Sequence, residues 1–172
     1  MRGPYLALTT IAFSETFRLI MSAEYEYTRG TLGLSVPALY GLSKIPYYYT
    51  MLLILVASLL VMNKIVNSKL GLFFRSIRED EDAAAAMGVN TTRYKVLAFT
   101  ISGFFAGLAG AFYGHYVLLV SPHMMFIYEM GLIVSMVVVG GIESLIGPVF
   151  GAVILEFLSE YLRAYGEYYR VI

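Results

Sequence analysis

Two long apolar stretches dominate the pattern of hydrophobic and polar positions along this chain. The first runs from Ile45 to Asn63 and the second from Val96 to Tyr128, and neither contains Asp, Glu, Lys or Arg. About 20 mostly apolar helical residues cross a bilayer core, where every backbone group must be hydrogen-bonded internally. Each stretch therefore predicts a membrane-spanning helix, and the second also has room for an exit near SPHMM.

Two further segments have the same character but are interrupted. Residues 4–23 are long enough to cross a membrane and carry Glu15 and Arg18, which share one helical face and can neutralise each other. Residues 124–162 are apolar around GGIESLIGP, which fits two helices joined by a tight turn or one re-entrant hairpin. The pattern predicts an all-α, polytopic integral membrane protein with about five membrane segments. No linker or repeat divides it, so residues 1–172 are expected to form a single transmembrane domain.

Basic residues are concentrated in one polar segment, residues 64–95. This segment holds six of them, whereas the polar segment from 24 to 46 holds only Arg29 and Lys44. Positive charge marks the cytoplasmic side of a membrane protein. We therefore expect residues 64–95 to be a cytoplasmic loop, in a multi-pass protein of the cell (inner or plasma) membrane.

A short helix is predicted inside this loop, over residues 79–88. Its acids favour the first turn of a helix, and its alanines have the highest helix propensity. Gly88 is expected to end this helix, and Asn90 or Thr91 can cap the next one. A helix of about two turns is marginal alone in water and needs a surface to pack on. That surface is either the chain's own helix bundle or another protein, for which Met87 offers an adaptable apolar anchor.

The glycine spacing in TISGFFAGLAGAFYG places a stripe of glycines along one face of the second long helix. Stripes of small residues let helices approach closely in lipid. Ordinary helix packing and contact with a second subunit both fit this pattern. The stripe consists of Gly103, Gly107, Gly110 and Gly114.

Composition argues against several chemical functions. The net charge is zero, which leaves no general case for a nucleic-acid partner, and cysteine is absent. His115 and His123 lack the neighbours of a metal site, and the chain has no GxxxxGK[ST] loop for phosphate and no hydrolase motif. We expect no catalytic, cofactor or metal residues, so any energy from ATP must come through a partner.

These features together resemble those of a known protein family. The run RSIREDEDAAAAMGVNTTRYKVLAFTISGFFAGLAGAFYGHY, with RGPYLALTTIAFSE before it and VVVGGIESLIGPVFGAVILEFL after it, resembles the LivM-type permease subunit of branched-chain amino-acid ABC importers. The resemblance implies that a coupling helix docks in a groove of a cytoplasmic ATPase. Relatives usually have a glutamate where this chain has Ala85. The implied coupling helix comprises Glu79, Asp80, Glu81, Asp82, Ala83, Ala84, Ala85, Ala86, Met87 and Gly88.

The same resemblance implies the partners and the missing parts. A homologous second permease subunit, two cytoplasmic ATP-binding subunits, an extracytoplasmic substrate-binding protein and membrane lipid would surround the chain. Family members have further helices before RGPY and one after GEYYRVI, so we expect a C-terminal fragment that lacks the last helix. The alternatives are a urea or amide ABC permease, an ion-coupled secondary transporter with a broken helix at Gly140 to Pro148, and a non-transporting membrane scaffold.

Overall fold

The computed structural model describes residues 4–41 and 43–169, which are mostly helical. The helices are α1 (Pro4–Ala23), α2 (Tyr25–Thr28), α3 (Lys44–Val66), α4 (Lys69–Glu79), α5 (Glu81–Ala86), α6 (Thr91–Val117), α7 (Ile127–Gly140) and α8 (Gly147–Tyr169). Two single 3-10 turns, Gly30–Leu32 and Pro122–Met125, lie between them. Two short strands, β1 (Leu34–Ser35) and β2 (Leu119–Val120), form a two-stranded sheet.

Among the described residues, three helices have the length and hydropathy to cross a membrane. They are α1, α3 and α6, and the last two contain 23 and 27 residues. At 1.5 Å per residue these two are roughly 35 and 40 Å long, which exceeds a hydrocarbon core of about 30 Å. The helices predicted from both charge-free stretches and from residues 4–23 are therefore confirmed.

The interrupted stretch from 124 to 162 forms two helices, α7 and α8, joined by the turn at residues 141–146. The prediction of a break at GGIESLIGP is confirmed. With 14 residues, α7 is about 21 Å long and shorter than a bilayer core, whereas α8 has 23 residues and is long enough to cross.

The expectation that residues 64–95 form a loop around one short helix is wrong over its first part, because α4 fills it. Ser68 caps this helix by accepting a hydrogen bond from the Leu70 amide at 3.2 Å. Four apolar side chains of α4 are half-buried, whereas Leu72 and the basic side chains are exposed. The apolar set is Leu70, Phe73, Phe74 and Ile77, at the i, i+3, i+4, i+7 spacing of an amphipathic helix.

The chain divides into two compact units. One consists of Met1–Leu34 with Val120–Ile172 and holds α1, α2, α7 and α8; the other, Ser35–Leu119, holds α3 to α6. Few apolar side chains are buried within the described residues, although Tyr47 and Ala84 are only 5% exposed. Large exposed apolar surfaces of this kind are covered by lipid or by other protein chains.

Candidate functional site

The segment from Asp80 to Gly88, here called the α5 segment, begins at a well-formed helix cap. The Asp80 backbone is extended, and its Oδ1 accepts hydrogen bonds from the amides of Asp82 at 2.9 Å and Ala83 at 3.0 Å. Glu81 and Asp82 occupy the first turn, where negative charge favours the positive end of the helix dipole. The predicted placement of acids in the first turn is therefore confirmed for Glu81 and Asp82, whereas Asp80 is the cap.

The predicted helix boundaries need a correction at Glu79. This residue closes α4, and Asp80 lies between the two helices as the cap of α5. The physical reason is that Asp80 uses its side chain to satisfy amides of the new helix while its own backbone leaves helical geometry. The helix itself has six residues, or about 1.7 turns, close to the expected two.

The α5 segment ends in a Schellman motif. The Val89 amide donates to the Ala84 carbonyl at 3.1 Å, and the Gly88 amide donates to the Ala85 carbonyl at 3.0 Å. Gly88 has a φ of +84°, which L side chains rarely adopt. The predicted stop at Gly88 is confirmed, and its cause is this backbone conformation, because a Cβ there would meet no atom within 4 Å.

Helix α6 starts immediately after this turn. The Asn90 side chain accepts a hydrogen bond from the Arg93 amide at 3.0 Å, which identifies Asn90 rather than Thr91 as the cap. In the next turn, Lys95 forms an ion pair with Glu81, with Nζ and Oε2 2.5 Å apart. The neighbouring Tyr94 ring stacks on Phe73 of α4, with centroids 4.7 Å apart. Adjacent residues of α6 thus hold both α4 and α5.

One side of the α5 segment is a small, apolar and exposed surface. Ala84 is buried, whereas the Met87 side chain is 86% exposed. The remaining exposed members are Ala83, Ala85, Ala86 and Gly88. This surface offers close approach and one flexible apolar side chain, which suits docking into a groove better than any chemical reaction.

The glycine stripe of α6 has no neighbour over most of its length. A Cβ placed on Gly103, Gly107 or Gly110 would meet no described atom within 4 Å, and all three are exposed. Gly114 differs because it is buried. Within the unit Ser35–Leu119, no described helix therefore packs closely on these three glycines.

Close glycine packing occurs instead between α7 and α8, where none was predicted. A Cβ on Gly151 would overlap the Met136 carbonyl oxygen and lie 2.7 Å from the Gly140 nitrogen. Cβ atoms on Gly140 and on Gly147 would likewise overlap the backbone of the other glycine. The GxxxG spacing of Gly147 and Gly151 was a signal that could have found this contact.

The predicted ion pair in α1 is confirmed. The Arg18 Nε lies 3.0 Å from both carboxylate oxygens of Glu15. The guanidinium also lies over the Phe126 ring, 5.0 Å from its centroid. These contacts neutralise two charges within an apolar helix and fix α1 against the segment that precedes α7.

The two histidines make other contacts. His115 Nδ1 lies 2.9 Å from the Pro37 carbonyl oxygen, and the His123 ring lies 5.1 Å from that of Phe126. Within residues 4–41 and 43–169, no group of three or more His, Cys, Asp or Glu side chains could hold a metal ion.

Comparison with known proteins identifies relatives over nearly the whole chain. The high-affinity branched-chain amino acid transport system permease proteins LivM of Salmonella typhimurium and Escherichia coli are each 32% identical over 197 aligned residues, which cover 98% of this chain and 46% of each relative. The ribose import permease protein RbsC of Haemophilus influenzae is 28% identical over 113 residues, covering 62% of this chain and 35% of that protein. No solved structure matches.

This chain thus spans about half the length of the two LivM proteins, at 46% of each. The family model described as the branched-chain amino acid transport system / permease component matches residues 1–172. Its match covers both units and the α5 segment. The chain belongs to this family of transport permeases.

Proposed function

We propose that this chain is part of the permease subunit of an ATP-binding-cassette importer in the cell (inner or plasma) membrane. The observation that carries the proposal is the α5 segment, a helix capped at both ends that carries an exposed Met87 and lies in sequence between the apolar helices α3 and α6. Residues 64–95 carry most of the basic charge near these helices, which favours a cytoplasmic position for α5. An ATPase on that side would meet the exposed alanines and Met87.

The proposed partners follow from the same arrangement. Two cytoplasmic ATP-binding subunits would bind and hydrolyse ATP, since the chain has no phosphate-binding loop in its sequence. A homologous second permease subunit would pack on the open stripe of Gly103, Gly107 and Gly110, where a neighbouring helix can approach closely. An extracytoplasmic binding protein would deliver the substrate. Residues 1–172 would form a single transmembrane domain, and this domain would catalyse no reaction.

Branched-chain amino acids are the proposed substrate. The relatives that cover 98% of this chain are named for branched-chain amino acid transport, whereas the ribose import permease aligns with 62% of it. A urea or amide permease of the same design stays an alternative. Substrate preference would be tested by ATP-dependent uptake of labelled leucine, urea and ribose into vesicles that contain the whole importer. Uptake of urea or ribose without leucine uptake would reject this substrate class.

An ion-coupled secondary transporter is the second candidate. The feature that favours it is the break between α7 and α8, because coupling sites of such transporters lie at interrupted helices. Uptake driven by an ion gradient in proteoliposomes lacking ATPase subunits would support this candidate. We expect uptake only with the ATPases and ATP present.

The docking surface is tested by substitution at Met87 in the full-length permease. We expect Met87→Glu to reduce co-purification of the ATPase subunits, because a charge would enter an apolar contact without a partner. Met87→Leu is the matched control and should retain co-purification, since it conserves volume and polarity. Equal recovery of ATPase with both variants would reject the α5 segment as the docking surface.

A further inference from the structure

Side chains of α4 and α5 contact the same turn of α6. Glu81, in the first turn of α5, forms its ion pair with Lys95 of α6, 14 positions later in the chain. Tyr94, beside Lys95, stacks on Phe73 and also lies edge-on to Phe74 at 6.3 Å. The start of α6 is therefore the point at which α4 and α5 are joined by side chains.

The Glu81–Lys95 pair is also better shielded than the exposed ion pairs of the described chain, and about as well shielded as Arg18–Glu15. The side chains of Lys95 and Glu81 are 32% and 24% exposed, whereas those of Arg163 and Glu160 are 76% and 77% exposed and 4.0 Å apart. Solvent and salt weaken an exposed pair much more than a partly buried one.

The backbone between α5 and α6 supports the same connection. The Schellman motif at Gly88 closes the end of α5, and the Asn90 cap starts α6 two residues later. Both turns are fixed by hydrogen bonds, so the backbone link is short and ordered. A displacement of α5 would be carried into α6 along this link and along the Glu81–Lys95 pair, which acts at the opposite end of α5.

We propose that Glu81 and Lys95 are positioning residues whose ion pair transmits the movement of α5 to α6 during transport. This inference rests on the proposed function, because it assumes an ATPase that moves α5. It adds that α6 is the helix that receives the movement. Helix α6 also carries the open stripe of Gly103, Gly107 and Gly110, so this movement would shift the surface proposed for the second permease subunit.

The test uses the full-length permease assembled with its partner subunits in proteoliposomes. The variants are Glu81→Gln, Lys95→Met and the exchange Glu81→Lys with Lys95→Glu. Glu160→Gln is the control, since it removes a charge from an exposed pair of α8. Three quantities are measured: ATPase recovered with the permease, the rate of ATP hydrolysis, and substrate taken up per ATP.

We expect both single variants to retain the ATPase and to lose at least about fivefold in uptake per ATP, the low end of coupling between distant sites. The exchange should restore most of the uptake per ATP, and Glu160→Gln should match the wild type. Wild-type uptake per ATP in both single variants, or no recovery in the exchange, would overturn the inference. Loss of ATPase recovery in the single variants would also overturn it, by placing the pair in docking.

A cross-link provides a second measurement that does not depend on charge. The chain has no cysteine, so cysteines at positions 81 and 95 can be joined by a short bifunctional thiol reagent in a cysteine-free complex. Before cross-linking, we expect the low uptake per ATP of the single variants. Cross-linking should raise it towards the wild-type value, and unchanged low uptake after complete cross-linking would contradict transmission through this contact. If no ATPase is recovered even with the wild-type permease, the proposed function fails instead.

Discussion

The contact between α7 and α8 leads to a stability prediction for Gly151→Ala. The added methyl would overlap the Met136 carbonyl oxygen and lie 2.7 and 2.9 Å from the nitrogen and Cα of Gly140. All three are backbone atoms of α7, so no side-chain rotation relieves the overlap and the two helices must separate. Overpacking costs about 1–3 kcal/mol, and an overlap with backbone belongs in the upper half of that range.

Part of that cost is offset by helix propensity. Alanine is favoured over glycine by about 1 kcal/mol inside a helix, so the net loss is about 1–2 kcal/mol. At about 2–4 °C per kcal/mol for a chain of this size, the unfolding temperature should fall by roughly 2–8 °C. The measurement is the monodisperse fraction of detergent-solubilised full-length permease after heating, followed by size-exclusion chromatography.

Gly131→Ala is the matched control in the partner helix. Gly131 also lies inside α7, but a Cβ there would meet nothing within 4 Å. This variant gains the same helix propensity without an overlap, so its unfolding temperature should equal or exceed that of the wild type. Equal unfolding temperatures for Gly131→Ala and Gly151→Ala would refute the argument that α7 and α8 touch through backbone at Gly151.

Three further substitutions test other local structures. Asp80→Ala removes the cap of α5 and should weaken the helix by about 1 kcal/mol, seen as faster amide hydrogen exchange at Asp82 and Ala83; unchanged exchange would exclude the cap. Gly88→Ala keeps the surface but forces a positive φ, costing about 1–2 kcal/mol, so ATPase co-purification should fall less than with a charge at Met87. Arg18→Met leaves the Glu15 carboxylate without its partner in an apolar helix and should lower the yield of folded permease; adding Glu15→Gln should restore it, and a further fall in the double variant would contradict pairing.

The sequence predicted the parts of the fold that depend on local pattern. Absence of charge over 19 and 33 residues located α3 and α6, and the glycine-rich interruption located the break between α7 and α8. The position of Gly88 within the α5 segment was also predictable, because a glycine after a run of strong helix formers is a common helix end. These features follow from neighbouring residues alone.

Helix α4 was missed although its signal was present. Its apolar positions, Leu70, Phe73, Phe74 and Ile77, have helical spacing, but the flanking basic residues drew the interpretation towards a loop. Glu79 was assigned to the wrong helix because propensity does not show which of several acids becomes a cap. The difference depends on the backbone at Asp80, which is extended so that its side chain can cap α5.

Other features depend on contacts between distant residues. The local pattern does not predict that Glu81 pairs with Lys95, because these two residues meet through the turn at Gly88. Spacing alone also did not distinguish the exposed glycines of α6, which contact no neighbouring helix of the same unit, from Gly151, which packs against α7. Whether a small residue touches a neighbour depends on the position of the second helix, which single-helix periodicity does not contain.

The attachments of α5 bear on how a partner would bind it. A six-residue helix does not persist alone in water, since helices under about 12 residues lack enough bonds to offset nucleation. Here the Asp80 cap, the Gly88 turn, the buried Ala84 and the Glu81–Lys95 pair hold it through contacts within this chain. An ATPase groove would therefore meet an ordered helix and would not have to order a loop. Because binding costs less when a segment is already ordered, the small surface around Met87 can dock without a large buried area.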